Sequence, residues 1–156
     1  MTMIEVDPTV PVIRITRDFR GTPDQLFRAH TDPELFRQWV GPDMLRTRID
    51  QWDARTGGSY RYVSVTDDGE EYAFRGCFHE VRPDRLVQTF TYEGDPDNVA
   101  LETLRLEGLG DGRTRLRVQS LMDSFEARDA FLASGMEIGV EEGYAKLEKV
   151  LADGTV

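Results

Sequence analysis

From Ser59 to Met122 the side chains alternate with a period of two, and turn signals cut the stretch at short, regular intervals. That pattern commits the middle of the chain to antiparallel strands. Tyr60, Tyr62 and Ser64 share one face, with Arg61, Val63 and Val65 on the other. Asp67-Asp68-Gly69 supplies a hairpin turn, because Asp-Gly accommodates the positive backbone dihedrals a tight turn needs. Its partner strand runs from Glu71 to Val81, where Tyr72, Phe74, Gly76 and Phe78 alternate with Ala73, Arg75, Cys77 and His79 and turn an aromatic row inward. After Pro83-Asp84 comes the row Leu86, Gln88, Phe90 and Tyr92, with one polar member. Gly94 to Asn98 forms a loop and Ala100 to Glu107 a strand; Asp111-Gly112 makes another hairpin turn, and Thr114 to Met122 aligns Leu116, Val118, Ser120 and Met122. Val10 to Phe19 and Met44 to Asp53 add two strands upstream, with Gly57-Gly58 turning the second into Ser59 to Thr66. About seven short strands at this spacing favour one strongly curved antiparallel sheet.

Two short helices abut between the first and second of these strands. Thr22 N-caps the first, Pro23 fits its first position and Gln25 completes a capping box; Thr31 or Asp32, Pro33 and Glu34 repeat the device before Gly41-Pro42 stops the second. Beyond Met122 the period becomes helical. Asp123 or Ser124 caps a long helix with Glu126 in its first turn, and Ala133, Met136, Val140, Tyr144, Leu147 and Leu151 form the stripe that packs on the concave side of the sheet. The fold class is therefore α+β. Gly135, Gly139 and Gly143 recur at four-residue spacing along this helix, each costing about 1 kcal/mol against alanine in a helix interior. Close approach to a strand or to the short helices is the favoured reason; room for a ligand is the other.

A chain of 156 residues with 39% hydrophobic content suits a single domain, residues 1–156, with its core over about 10–152. The net charge of −10, with basic residues scattered among acidic ones, disfavours nucleic acid and anionic membrane as partners. Met1 to Val10 lacks a basic segment followed by an apolar one, and Cys77 is the only cysteine, so a cytoplasmic location is expected. A homodimer through a strand edge or the short helices is compatible with a chain of this kind.

Several separated segments, Asp32-Pro33-Glu34-Leu35, Trp39-Val40-Gly41-Pro42, Gly57-Gly58 with Tyr60-Arg61-Tyr62, Gly76 to Val81, Ser134-Gly135-Met136 and Glu142 to Leu147, occur in an order that resembles the START-like, birch-pollen-allergen-like superfamily. Within it, the chain looks like the bacterial branch named after the activator of the heat-shock-protein-90 ATPase, whose members are often labelled polyketide cyclase-like. The resemblance covers about Val12 to Leu151. It implies a helix-grip fold: a curved antiparallel sheet around a long C-terminal helix, enclosing a cavity open near the short helices. The superfamily spans carriers, receptors, cyclases and co-chaperone domains, so the fold alone leaves the activity open.

Metal and cofactor fingerprints are lacking. His30 and His79 are the only histidines and have no partners spaced for zinc. His30, ending the first short helix, is expected to favour that helix terminus electrostatically, and His79 to be structural or at the surface. Cys77 lacks an activating basic neighbour and reads as an inert thiol. The Gly57-Gly58 and Gly108 to Gly112 segments are hairpin punctuation rather than phosphate loops. What remains is an apolar pocket with a few polar groups. Trp39 from the second short helix, Tyr60, Tyr62, Phe74, Phe90 and Tyr92 from the strands, and Met136, Val140 and Tyr144 from the long helix would line it, with the Gln88 amide as a polar contact. The leading expectation is a noncatalytic module for a small hydrophobic or aromatic molecule. A cyclase or aromatase would need an ionisable group at the cavity, for which Arg75, His79, Glu80 and Glu102 are the candidates. A protein-binding role toward a chaperone or regulator stands third, because the co-chaperone of the family name has a further N-terminal domain for which these residues leave no length.

Overall fold

The computed structural model describes all 156 residues. Its frame is one antiparallel sheet of eight strands in the spatial order β1-β2-β8-β7-β6-β5-β4-β3. In chain order these are β1 (Thr2–Val6), β2 (Val12–Arg20), β3 (Arg46–Trp52), β4 (Ser59–Val65), β5 (Glu71–Arg82), β6 (Arg85–Tyr92), β7 (Ala100–Gly110) and β8 (Arg113–Leu121). The strand missing from the sequence-based count is β1. Its residues Thr-Met-Ile-Glu-Val do not alternate in polarity, and only Ile4 packs against the core while Met3 and Val6 stay exposed. A turn organised by Asp7, whose carboxylate accepts from the Thr9 and Val10 amides at 2.8 and 3.1 Å, returns β1 onto β2 in the register Ile4 to Ile15.

The helices α1 (Pro23–Thr31) and α2 (Pro33–Trp39) follow β2. Thr22 and Gln25 form the capping box, and Asp32 rather than Thr31 caps α2, its side chain accepting from the Glu34 amide at 2.9 Å. The Thr31 hydroxyl instead turns back to the Phe27 carbonyl. Two indoles pin the pair: Trp39 Nε1 donates to the Ala29 carbonyl at 2.9 Å and Trp52 Nε1 to the Thr31 carbonyl at 2.7 Å.

The C-terminal helix is two helices, α3 (Phe125–Ala133), capped by Ser124, and α4 (Met136–Ala152). Gly135 sits between them at φ +86°, a left-handed conformation that L side chains avoid, so it breaks the helix instead of belonging to a ridge within it. The other two glycines differ from one another. A Cβ on Gly143 would lie 3.0 Å from the Trp39 carbonyl oxygen, so this glycine lets α4 press against the end of α2; one on Gly139 would meet only Pro42 Cδ at 3.5 Å, an ordinary contact. Gly139→Ala is therefore expected to raise stability by about 0.5–1 kcal/mol through helix propensity. Gly143→Ala is expected to lose about 1 kcal/mol net, since backbone must move; urea denaturation of the two variants separates these signs.

The main core joins β2, β7, β8, α1, Trp39 and α4, and within it Ile13, Phe19, Leu26, Leu116 and Leu147 are essentially fully buried. A smaller cluster of Tyr60, Tyr62 and Phe78 occupies the β4–β5 side. No helix is long and apolar enough to cross a membrane.

Candidate functional site

A cavity of about 760 Å3 opens where the two clusters fail to merge, with Tyr62 of one and Trp39, Ala100, Met122 and Tyr144 of the other in its wall. Sheet register explains its position. Tyr62 pairs with Phe74, and Phe74 with Tyr92, so one inward row crosses β4, β5 and β6 as aromatic rings. Tyr62 and Phe74 lie 5.2 Å apart and Phe74 and Phe90 5.4 Å, in near-parallel planes. Facing that wall are Met136, Val140 and Tyr144 of α4, Phe131 of α3 and Trp39. The break at Gly135 turns α4 away from α3 beside the opening, and Gly135 itself is part of the lining.

Of the residues expected to bind a ligand, Trp39, Tyr62, Phe74, Phe90, Tyr92, Met136, Val140 and Tyr144 line the cavity, whereas Tyr60 and Gln88 do not. Tyr60 faces inward as its alternation requires, but its hydroxyl crosses β5 at Gly76 and donates to the Thr89 carbonyl at 2.6 Å. Only a residue without a side chain permits that path, since a Cβ on Gly76 would lie 2.6 Å from the Tyr60 oxygen. Gln88 stands one inward row deeper, in the register Phe78–Gln88–Glu102–Ser120 across β5 to β8.

That deeper row contains the one ionisable candidate on the concave side. Glu102 accepts from Ser120 Oγ at 3.0 Å and from Gln88 Nε2 at 3.3 Å. Burial pushes its carboxyl above the ordinary carboxylate range and outweighs these two donors, which favour the ionised form. The other three candidates point elsewhere. Arg75 and His79 are exposed, His79 as the extra residue of a bulge in β5, and Glu80 is bound to Arg85 at 2.6 Å on the outer face. Because the folded protein holds the Glu102 proton more tightly than the unfolded chain, its contribution to stability falls as pH rises from about 4.5 through the elevated folded value. Glu102→Gln is accordingly expected to gain on the wild type as pH rises from about 4.5 through the elevated folded value in denaturant melts. A pH-independent difference would contradict the burial of an ionisable group there.

His30 also departs from expectation. It is buried against Trp39 with Nδ1 donating to the Leu26 carbonyl at 2.7 Å, and burial lowers its pKa, so it serves as a neutral packing group and not as a charge at a helix end. Cys77 is a free, exposed thiol. No cluster of His, Cys, Asp or Glu side chains is arranged to hold a metal ion.

The hydroxyls of Tyr62 and Tyr144, with that of the buried Ser64, carry polarity within the cavity. Tyr62 and Tyr144 are each 7% exposed, both line the cavity, and neither phenol hydroxyl has a hydrogen-bond partner in the protein. Burial raises the pKa of both phenols, followed by the nearby Glu102 charge, and they stay protonated. The rim adds residues that sequence periodicity did not single out: Met44 and Leu45 after α2, Asp95, Asn98 and Val99 before β7, Asp123 before α3, and Ile138 in the first turn of α4. Most sit in connections, where no period marks the inward direction.

Comparison with known proteins gives one family and one fold. Residues 20–152 match the family described as Activator of Hsp90 ATPase homolog 1-like protein. Among solved structures, a Rhodobacter sphaeroides protein is 29% identical over 97% of this chain and 99% of its own, with a TM-score of 0.85. An Arthrobacter aurescens protein superposes at a TM-score of 0.88 with 23% identity, covering 97% and 91% of the two chains. A Mycobacterium smegmatis protein does so at 0.85 with 22% identity, covering 96% and 95%. No curated protein matches the chain. The helix-grip fold is thus shared with these bacterial proteins, and the chain belongs to the Activator of Hsp90 ATPase homolog 1-like family.

Proposed function

We propose that this protein is a binding module for a small hydrophobic molecule with a flat aromatic body, held in the cavity between the β4–β6 wall and α4. The observation that carries this is an apolar cavity of about 760 Å3 lined by two tyrosines whose hydroxyls have no partner in the protein. Its size falls in the range of sites for drug-sized molecules, which combine apolar walls with a few placed polar groups. The two hydroxyls are open to the cavity, where each offers a hydrogen bond to a polar atom of a ligand. Of the carboxylates, Asp95 and Asp123 stand at the rim and Glu102 lies one row deeper than the lining, so binding without turnover is the better-supported role.

Native mass spectrometry of protein isolated from its source cell tests this. The expected spectrum shows a noncovalent adduct of small-molecule mass that dissociates on activation. A spectrum of ligand-free protein alone, with no thermal stabilisation by any of a panel of aromatic compounds, contradicts it.

A further inference from the structure

We propose that the cavity selects a lipophilic amine, with the aromatic body inside and the ammonium group at the mouth, and rejects carboxylates of the same shape. This rests on the cavity being a ligand site and adds the charge of its ligand. No Lys, Arg or His lines the cavity; Asp95 and Asp123 are its only charged residues. Both stand at the same end of the sheet, Asp95 just after β6 and Asp123 just after β8. The surface elsewhere pairs most of its arginines with acids, yet neither of these carboxylates has a cationic partner; Asp95 receives only the Asn98 amide at 2.5 Å.

The two phenols supply the independent sign of a ligand. Tyr62 and Tyr144 are more than nine-tenths buried, line the cavity and have hydroxyls without a partner in the protein, so they offer a guest two hydrogen-bond sites beside its aromatic body. An anionic guest would lose hydration on entering an apolar wall, find no basic group, and pass two unpaired carboxylates. An ammonium left at the mouth keeps part of its hydration and gains both charges. The net charge of −10 attracts cations to the whole surface as well, so the test must separate the rim from the general field.

Fluorescence titration with 1-pyrenemethylamine, 1-pyrenemethanol and 1-pyrenecarboxylate does so, because one ring carries a positive, neutral or negative group. At low salt the amine is expected to bind about tenfold more tightly than the carboxylate and several-fold more tightly than the alcohol, with the gap shrinking in high salt. The variant Asp95→Asn/Asp123→Asn is expected to remove most of the preference for the amine over the alcohol. The control Asp84→Asn/Asp111→Asn, in turns at the opposite end of the sheet, is expected to retain it. A carboxylate that binds as tightly as the amine, or an amine preference that survives the rim variant, overturns the selectivity while leaving the cavity a ligand site. No binding by any of the three overturns both.

Discussion

Trp39→Ala is expected to destabilise the protein by about 3–5 kcal/mol, the usual cost of removing a fully packed large aromatic side chain. The indole is 6% exposed and joins three parts of the fold. Its Nε1 ties the end of α2 to Ala29 of α1, its ring meets His30 and Phe36 edge-on at 4.9 and 5.3 Å, and it packs at 6.0 Å against Tyr144 of α4. It also forms part of the cavity wall. Trp39→Phe separates packing from hydrogen bonding, since it keeps most of the ring contacts and loses the donor to Ala29, with an expected cost of about 1–2 kcal/mol. Urea melts of both variants check the ordering. A loss below about 1 kcal/mol for the alanine variant would mean that α1, α2 and α4 do not share this anchor.

Gly76→Ala is expected to cost about 3 kcal/mol, large for the addition of one methyl group. The new Cβ would lie 2.0 Å from the Thr89 carbonyl oxygen as well as 2.6 Å from the Tyr60 hydroxyl, and the former is backbone that moves only if β6 moves. Here the strand ladder is interrupted: the Thr89 carbonyl is taken by Tyr60, and the Cys77 amide donates to Thr89 Oγ1 at 2.9 Å. Tyr60→Phe in the Gly76→Ala background relieves the clash with the phenol oxygen but leaves those with Thr89 and with the ring carbon at 2.7 Å. The double variant is therefore expected to stay well below wild-type stability, and full recovery in a melting experiment would show that the phenol alone sets the requirement for glycine.

The strands were legible because Tyr60, Tyr62, Phe74 and Phe90 repeat at a period that only a half-buried strand explains, and the Asp-Gly turns fixed their ends. At Asp111-Gly112 both residues do take positive φ, 49° and 78°. Other features lay outside what a single sequence states. Gly135 keeps the four-residue spacing of Gly139 and Gly143, so a helix break looked like the start of a helical ridge; its left-handed φ follows from the turn into α4. The β1 strand lacks alternation because it is an edge strand that buries only Ile4. Alternation placed Gln88 and Glu102 on inward faces, but their meeting with Ser120 depends on the register of three strands, and register emerges only on pairing. The mouth, built from Met44, Val99 and Asp123 in or beside connections, offered no period to read.

The central claim is that a flat hydrophobic molecule enters the cavity, and the five methionines allow it to be located in one spectrum. Met122 and Met136 line the interior, Met44 stands exposed at the rim, and Met1 and Met3 lie at the far N-terminal edge strand. In protein carrying 13C-labelled methionine methyl groups, titration with uncharged 1-pyrenemethanol is expected to shift the Met122 and Met136 signals together and saturably through ring-current effects, to move Met44 less, and to leave Met1 and Met3 in place. Internal methyl signals that stay fixed while the probe binds, or shifts confined to Met1 and Met3, would contradict the cavity as the binding site.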